Sequence, residues 1–272
     1  MNDLPFFLRD YGVLRFSGPD ARRFLQGQLS NDLDRLQPGA PLLAGLHNPQ
    51  GRVVALLRLL PAPADTDVLA ILPGELLERV SALLRRFVLR AKVTVSNVTA
   101  DWQVLGVPAA SGAHRFALAE GAGDPALVAR ASSGAGESAL EWAALQVAAG
   151  VPEVYAATSG EFVAQMLNLD CLEAISWTKG CYTGQEIIAR AHYRGQVKRR
   201  MRRYACGDGA SPPPGDTWTT SDGVPVRVVR SARTAQGRGE LLAVAPLDTP
   251  SADELPLPYS WPAPDLPAAG AR

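Results

Sequence analysis

The stretch Ile175-Ser176-Trp177-Thr178-Lys179-Gly180-Cys181-Tyr182-Thr183-Gly184-Gln185-Glu186-Ile187-Ile188-Ala189-Arg190 combines a thiol, an amine and two glycines within six residues. Thr183 and Glu186 have the spacing of a capping box, which places an N-cap at Thr183 and a helix through Ile187 and Ile188. Cys181 then precedes the cap by two residues, near the positive end of a helix dipole, with Lys179 as a neighbouring cation. Both effects favour thiolate over thiol. Gly180 and Gly184 would let a ligand or a second stretch of chain approach closely. On local sequence alone the simpler reading of Cys181 is an ordinary loop or core cysteine, because free Cys is among the most buried residue types.

Downstream, Arg190, Arg194, Lys198, Arg199, Arg200, Arg202 and Arg203 form a run with no intervening carboxylate. Such runs are usually solvated faces. With Tyr193 and Tyr204 interleaved, the alternative is an anionic partner such as RNA, whose phosphates the cations would neutralise and whose bases the rings would stack. Whole-chain charge gives no support either way: 27 basic residues balance 27 acidic ones. Lysine occurs only at Lys92, Lys179 and Lys198, so arginine carries nearly all the positive charge.

Cys171, Cys181 and Cys206 are odd in number and too sparse for a disulfide scaffold, which points to a reducing, cytoplasmic compartment. Their spacing fits no compact zinc motif, and His47, His114 and His192 are dispersed, so no resident metal is expected. No run approaches 18 uninterrupted apolar residues, and the first ten residues lack a basic start followed by a long apolar run, so neither a membrane span nor a secretory leader is expected. At 272 residues, 47% apolar and 20% charged, the chain has the composition of one large globular domain or two to three small ones.

The elements that must position these residues follow from periodicity. Val13 to Phe16 reads as a strand, and Ser17-Gly18-Pro19-Asp20 starts a helix carrying Phe24 and Leu25. Val53 to Leu60, Asp67 to Leu72, Lys92 to Val98 and Trp102 to Val107 read as strands. Leu76, Leu77, Val80, Leu83, Leu84 and Phe87 make one apolar stripe on a helix after Pro73. Together they suggest a β-β-α-β-β unit with trailing strands. Ala109 to Gly136 is rich in small residues and reads as long loops. Ser138-Ala139-Leu140-Glu141 caps a helix through Trp142 to Gly150, and the last third alternates apolar runs with Pro-rich turns, as in an all-β module.

Lys179-Gly180-Cys181-Tyr182-Thr183-Gly184-Gln185-Glu186, continued by Ala189-Arg190-Ala191 and Arg194-Gly195, resembles the signature of the YgfZ family of folate-binding, tRNA-modification-linked proteins. Ala149-Gly150-Val151-Pro152, Ser159-Gly160-Glu161-Phe162, Phe24-Leu25-Gln26-Gly27-Gln28 and Leu257-Pro258-Tyr259-Ser260 extend the similarity. The resemblance implies an α+β relative of the glycine-cleavage aminomethyltransferase: three small domains in a ring around a central folate-sized hole, with a C-terminal β-barrel. Residues 1–45 with 137–197 would form a discontinuous first domain, 46–136 a ferredoxin-like second, and 198–272 the barrel. The family's two aromatic folate contacts align with Tyr11, where its pattern has Trp, and Trp142. Without the resemblance, Trp142 is more simply a core residue of its helix.

As implied by the family, the function is that of a folate-binding accessory protein for iron–sulfur enzymes, including one that thiolates tRNA. Its ligand would be tetrahydrofolate or a one-carbon derivative, and Cys181, activated by Lys179, would take part in transfer or redox chemistry. Two alternatives are a folate-dependent one-carbon or aminomethyl transferase and a tRNA-binding folate sensor. The transferases use an Asp shortly after a Gly-containing turn, whereas Asn48-Pro49-Gln50-Gly51 runs here into Arg52-Val53-Val54-Ala55 without an acid.

Overall fold

A computed structural model describes residues 5–63, 66–107, 115–120, 135–193 and 197–261. The central sheet has strand order β3-β4-β5-β2-β6, with β2 at Tyr11–Ser17, β3 at Leu42–His47, β4 at Val53–Pro61, β5 at Val68–Pro73 and β6 at Thr94–Asn97. A second sheet joins β1 (Phe6–Phe7), β7 (Trp102–Val107) and β8 (Arg115–Glu120) in the order β1-β7-β8. The third, in the order β10-β11-β12-β9-β13, comprises β9 (Arg199–Asp208), β10 (Thr217–Thr219), β11 (Pro225–Arg233), β12 (Arg238–Pro246) and β13 (Glu254–Leu255). Neighbouring strands are antiparallel throughout. Four helices complete the described chain: α1 (Ala21–Gln26), α2 (Leu77–Arg85), α3 (Ala135–Ala148) and α4 (Gln185–Tyr193).

The central sheet is covered on both faces, and its sequence shows why. β4 and β5 are nearly unbroken apolar runs rather than alternating ones, the pattern of strands buried on two sides. Leu76, just before helix α2, and Val80 and Leu84 within it cover one side, while Glu78 and Arg79 point outward and Arg85 donates to the Val95 carbonyl. Phe87 falls outside this stripe at 44% exposure because the helix stops at Arg85.

β2 and β3 pair into the same sheet as β4, β5 and β6. Three expectations change. The trailing strands β7 and β8 leave that sheet and join β1 instead. The C-terminal module is a five-stranded sheet whose outer strands, β10 and β13, are not paired with each other among the described residues, so it does not close into a barrel. Helix α3 begins at Ala135, which puts Ser138 inside the helix rather than at its cap. Arg194, His114 and most of Ala109 to Gly136 lie outside the described residues.

His47, at the end of β3, is buried with 2% of its surface exposed, and burial pushes its pKa down to about 3 from the ordinary 6.5. The unfolded chain accepts a proton at pH 6.5 that the folded chain refuses until about pH 3, so acidification through this window favours unfolding. Urea titrations should therefore show the unfolding free energy falling by up to about 1.4 kcal/mol per unit as pH drops below about 6.5. A His47→Gln variant should flatten that slope, and equal slopes for the two proteins would remove His47 as its cause.

Candidate functional site

The loop after Ala174 is stitched to the connection between α1 and β3. The Ser30 hydroxyl donates to the Ala174 carbonyl at 2.7 Å and accepts from the Gly45 amide at 2.8 Å. The Ser176 amide donates to the Ser30 carbonyl at 2.9 Å, and the Asn31 side-chain amide spans the Leu43 and Glu173 carbonyls. Lys179 completes the seam. Its Nζ donates to the carbonyls of Gln26, Leu29 and Asn31 at 2.7, 2.7 and 2.8 Å. Gln26 is the last residue of α1, so the ammonium sits where the helix presents unpaired carbonyls and negative dipole. Burial pushes the Lys179 pKa down to about 8, opposed by Asp32 and Asp34. Three acceptors require three N–H donors, which only the ammonium form supplies, so these carbonyls hold the proton at neutral pH.

This geometry redirects both sources of positive charge expected beside Cys181. The Lys179 ammonium faces three carbonyls and makes no hydrogen bond to the thiol. The helix starts at Gln185 rather than after a Thr183 cap, because Gly184 takes a left-handed φ of +83°. In place of the Thr183–Glu186 box, the Gln185 side chain accepts from the Tyr182 amide at 3.3 Å. Cys181 and Gly180 are exposed, Thr183 is half-buried and Glu186 is exposed. Tyr182 is buried, with Nζ of Lys179 5.4 Å from its ring centre on one flank and the His47 ring centre at 6.1 Å.

Gly184 shows why this loop needs glycine. A Cβ there would stand 2.5 Å from the Asn48 carbonyl oxygen and 3.0 Å from Gly51 Cα, so the loop packs backbone to backbone on the turn between β3 and β4. That turn is where the transferases' acid was sought, and the residue leaving it is Arg52.

The second feature is a cavity of about 110 Å³ whose walls include Tyr11, Trp142, Tyr155, Asp10 and Arg230. Tyr11 and Trp142, far apart in sequence, thus line one space. Phe116 bridges them edge-on, with ring centres at 5.1 Å from Tyr11 and 5.2 Å from Trp142. Gly106 on β7 makes room for the indole, since a Cβ there would lie 2.6 Å from it. The Tyr11 hydroxyl donates to Glu153 Oε2 at 2.7 Å, and Arg58 pairs with the same oxygen at 2.7 Å. Burial, reinforced by Glu153, pushes the Tyr11 pKa well up, so the phenol keeps its proton. Arg230 is 97% buried, and its Nε and Nη1 have no hydrogen-bond partner among the described residues. Tyr11, Tyr155 and Glu153 act on the same guanidinium, and its two open buried donors leave room for a further acceptor.

Sequence reasoning missed Glu153, Arg58, Arg230, Phe116 and Tyr155. A signal existed for Arg58 alone: it is the single cation inside the otherwise apolar strand β4.

The basic run is not free of counter-charge. Arg200 makes two hydrogen bonds to the Asp170 carboxylate at 2.9 and 2.7 Å, Arg202 pairs with Glu254 at 2.5 Å, and Arg203 binds Glu240 through two nitrogens. Their partners come from distant sequence, which is why the run looks unpaired when read linearly. Tyr204 is fully buried and offers no stacking face. Arg190, Lys198 and Arg199 remain exposed. Near the end of α4, Trp177 stacks on His192 with ring centres 3.9 Å apart, and Tyr193 stands edge-on to both at 61% exposure. Among the described residues, no three His, Cys, Asp or Glu side chains are grouped to hold a metal ion, and no helix is long and apolar enough to cross a membrane.

This arrangement of sheets and helices defines a mixed α/β protein with the fold of the glycine-cleavage aminomethyltransferases. Against aminomethyltransferase T of the glycine cleavage system from Bartonella henselae the TM-score is 0.67 over 89% of this chain and 78% of that one, at 14% identity. No protein-family model matches the chain. It is 31% identical over 228 residues to the tRNA-modifying protein YgfZ of Klebsiella pneumoniae, covering 71% of this chain and 69% of that protein. Its identity to the YgfZ of Hamiltonella defensa is 28% over 239 residues, covering 73% and 69% of the two chains. An uncharacterized protein of Haemophilus influenzae is 34% identical over 200 residues, covering 71% and 70%. The chain belongs to the family of the tRNA-modifying protein YgfZ.

The contact at Gly184 is open to a direct check. Gly184→Ala should lower the unfolding free energy by about 1–3 kcal/mol, the cost of a non-glycine residue at this φ plus the displacement of the turn. Thiol-reagent labelling of Cys181 should accelerate in the same variant. Unchanged stability and labelling would mean that loop and turn are not held in register by this contact.

Proposed function

We propose that the protein binds tetrahydrofolate or a one-carbon derivative in the Tyr11–Trp142 cavity and acts as an accessory protein for iron–sulfur enzymes that modify tRNA. The carrying observation is that the two aromatic residues line one cavity together with Arg230, whose Nε and Nη1 have no hydrogen-bond partner among the described residues. A flat heteroaromatic ring bearing acceptors fits that donor set: the rings offer apolar faces and Arg230 offers N–H groups to a carbonyl or ring nitrogen. At about 110 Å³ the cavity is smaller than the roughly 300 Å³ at the low end for drug-sized ligands, so it suits the ring end of a folate, with the rest outside it. Bound folate would supply one-carbon chemistry. The chain's own residues position it: Glu153 orients the Tyr11 hydroxyl, Arg58 neutralises Glu153, and Phe116 fixes the angle between the two rings.

Support for the tRNA-modification setting comes from the relatives, which carry the name tRNA-modifying protein. The ring of three domains around a folate-sized hole, divided at 1–45 with 137–197, 46–136 and 198–272, and a cytoplasmic setting are part of the same proposal. Cys181 is the exposed thiol of the signature loop and the residue assigned the chemistry with client enzymes. Classical aminomethyl transfer is the weaker reading, since Arg52 follows the turn where an acid is required.

Calorimetric titration of tetrahydrofolate should give saturable binding to the parent protein, at least about tenfold weaker binding to Trp142→Ala, and parent-like binding to Cys181→Ser. In cells, Cys181→Ser should fail to support tRNA methylthiolation. Equal folate affinity in Trp142→Ala would remove the cavity from the account, and full support by Cys181→Ser would remove the thiol.

A further inference from the structure

A cavity that the folate reading leaves unused is a cleft of about 460 Å³ between the start of β4, the segment around Phe162 and the C-terminal sheet. Three arginines from separate parts of the chain line it: Arg52, Arg199 and Arg227. Glu161 organises two of them. Its backbone carbonyl accepts from Arg52 Nη1, and its carboxylate accepts from Arg227 Nε at 2.6 Å and Nη2 at 3.2 Å. Arg52 and Arg199 form no ion pair among the described residues. Glu161 is the sole carboxylate lining the cleft among those residues and it pairs with Arg227, on which Asp216 also acts, so Arg52 and Arg199 are the two guanidiniums there without an ion-pair partner. Phe162, Met166, Pro225, Val226 and Val244 contribute its apolar lining, and Thr217 also lines it.

We infer that this cleft is a second ligand site, one that takes a phosphomonoester of nucleotide size. The charge selects the chemistry. A phosphomonoester above its second pKa, near 6, carries close to two negative charges, matching the two open guanidiniums, whereas a carboxylate or a phosphodiester carries one. Arginine's planar fork presents paired donors at the spacing of phosphate oxygens, and two forks held on separate walls can grip one phosphate from two directions. Anchoring through Glu161 holds Arg52 and Arg227 in place before a ligand arrives, which lowers the ordering cost of binding. The volume lies within the ordinary range for small-molecule sites, and the apolar side chains in its lining suit the face of a nucleobase rather than a bare ion. The site lies next to the signature loop, because the turn that ends in Gly51 and leads to Arg52 is the one on which Gly184 packs. It stands independently of the folate cavity, which is lined by different residues.

The inference also revises where an anion would be met. The linear run Arg190 to Arg203 spends Arg200, Arg202 and Arg203 on internal carboxylates. Of the described residues of that run only Arg199 lines the cleft, and its companions there come from β11 and from the turn before β4.

The test titrates adenosine 5′-monophosphate, its 3′,5′-cyclic diester and inorganic phosphate into the full-length protein by calorimetry at low salt. Saturable binding of the monophosphate is expected, at least about tenfold tighter than the cyclic diester, and weaker at pH 5.5 than at pH 7.5 as the phosphate takes up a proton. Arg199→Gln and Arg52→Gln should each weaken it at least about tenfold, with Arg199→Lys intermediate. Arg190→Gln, on the exposed face of α4, should match the parent. Arg199 is exposed at the start of β9, so its variant should keep the parental thermal midpoint, and tetrahydrofolate binding should be unchanged in it. Equal binding of the diester, equal loss in Arg190→Gln, or no saturable monophosphate binding would overturn the inference. A tRNA fragment that binds through Arg52 and Arg199 while the monophosphate does not would overturn it in favour of a polymer.

Discussion

The ammonium of Lys179 is the point from which the signature region is hung. It is partly withdrawn from water, at a cost that pushes its pKa down, and three carbonyls from the end of α1 and the turn after it offset that cost. Once it is fixed, the chain on either side has little freedom. Ser176 meets Ser30 behind it, and Tyr182 is buried ahead of it with its ring near His47. Gly184 then lies on the turn before β4. Cys181 sits between these anchors with its side chain outward. An exposed thiol on a pinned loop is presented to a partner without the entropy loss that ordering a free loop would require.

The same contact carries the constraint beyond the loop. The turn against Gly184 leads directly into Arg52, whose guanidinium is fixed by Glu161, which in turn holds Arg227 on the C-terminal sheet. Elsewhere charges are likewise set by pairing across long sequence distances. Arg58 with Glu153 and Arg200 with Asp170 are both nearly excluded from water. Breaking one partner of such a pair leaves a buried charge without compensation and is strongly destabilising. A net charge of zero therefore describes a molecule in which buried cations such as Arg58 and Arg200 are matched, while the exposed Arg52 and Arg199 line a cleft without an ion-pair partner.

Local pattern was enough to read much of the fold. The apolar runs of β4 and β5, the stripe of Leu76, Val80 and Leu84, and the strand at Trp102 to Val107 are all set by short-range periodicity. Which sheet a strand joins was not legible, because β7 pairing with β1 rather than with β6 depends on contacts distant in sequence. Site reading failed for the same reason. Thr183 and Glu186 have the spacing of a cap, yet the positive φ of Gly184 delays the helix to Gln185. Lys179 looked like an activator of its sequence neighbour, and only the fold brings the Gln26, Leu29 and Asn31 carbonyls to it. Tyr11 and Trp142 were reached through family resemblance, whereas Glu153 and Arg230 beside them have no short-range signature at all.

The claim that Lys179 anchors the signature loop is tested most directly by amide hydrogen exchange in the parent and a Lys179→Met variant. The account predicts that the Ser176 amide, bonded to the Ser30 carbonyl, loses at least about tenfold of its protection in the variant. Amides in the β2–β5 pairing should keep theirs. Unchanged protection at Ser176, or an equal loss across the central sheet, would contradict it.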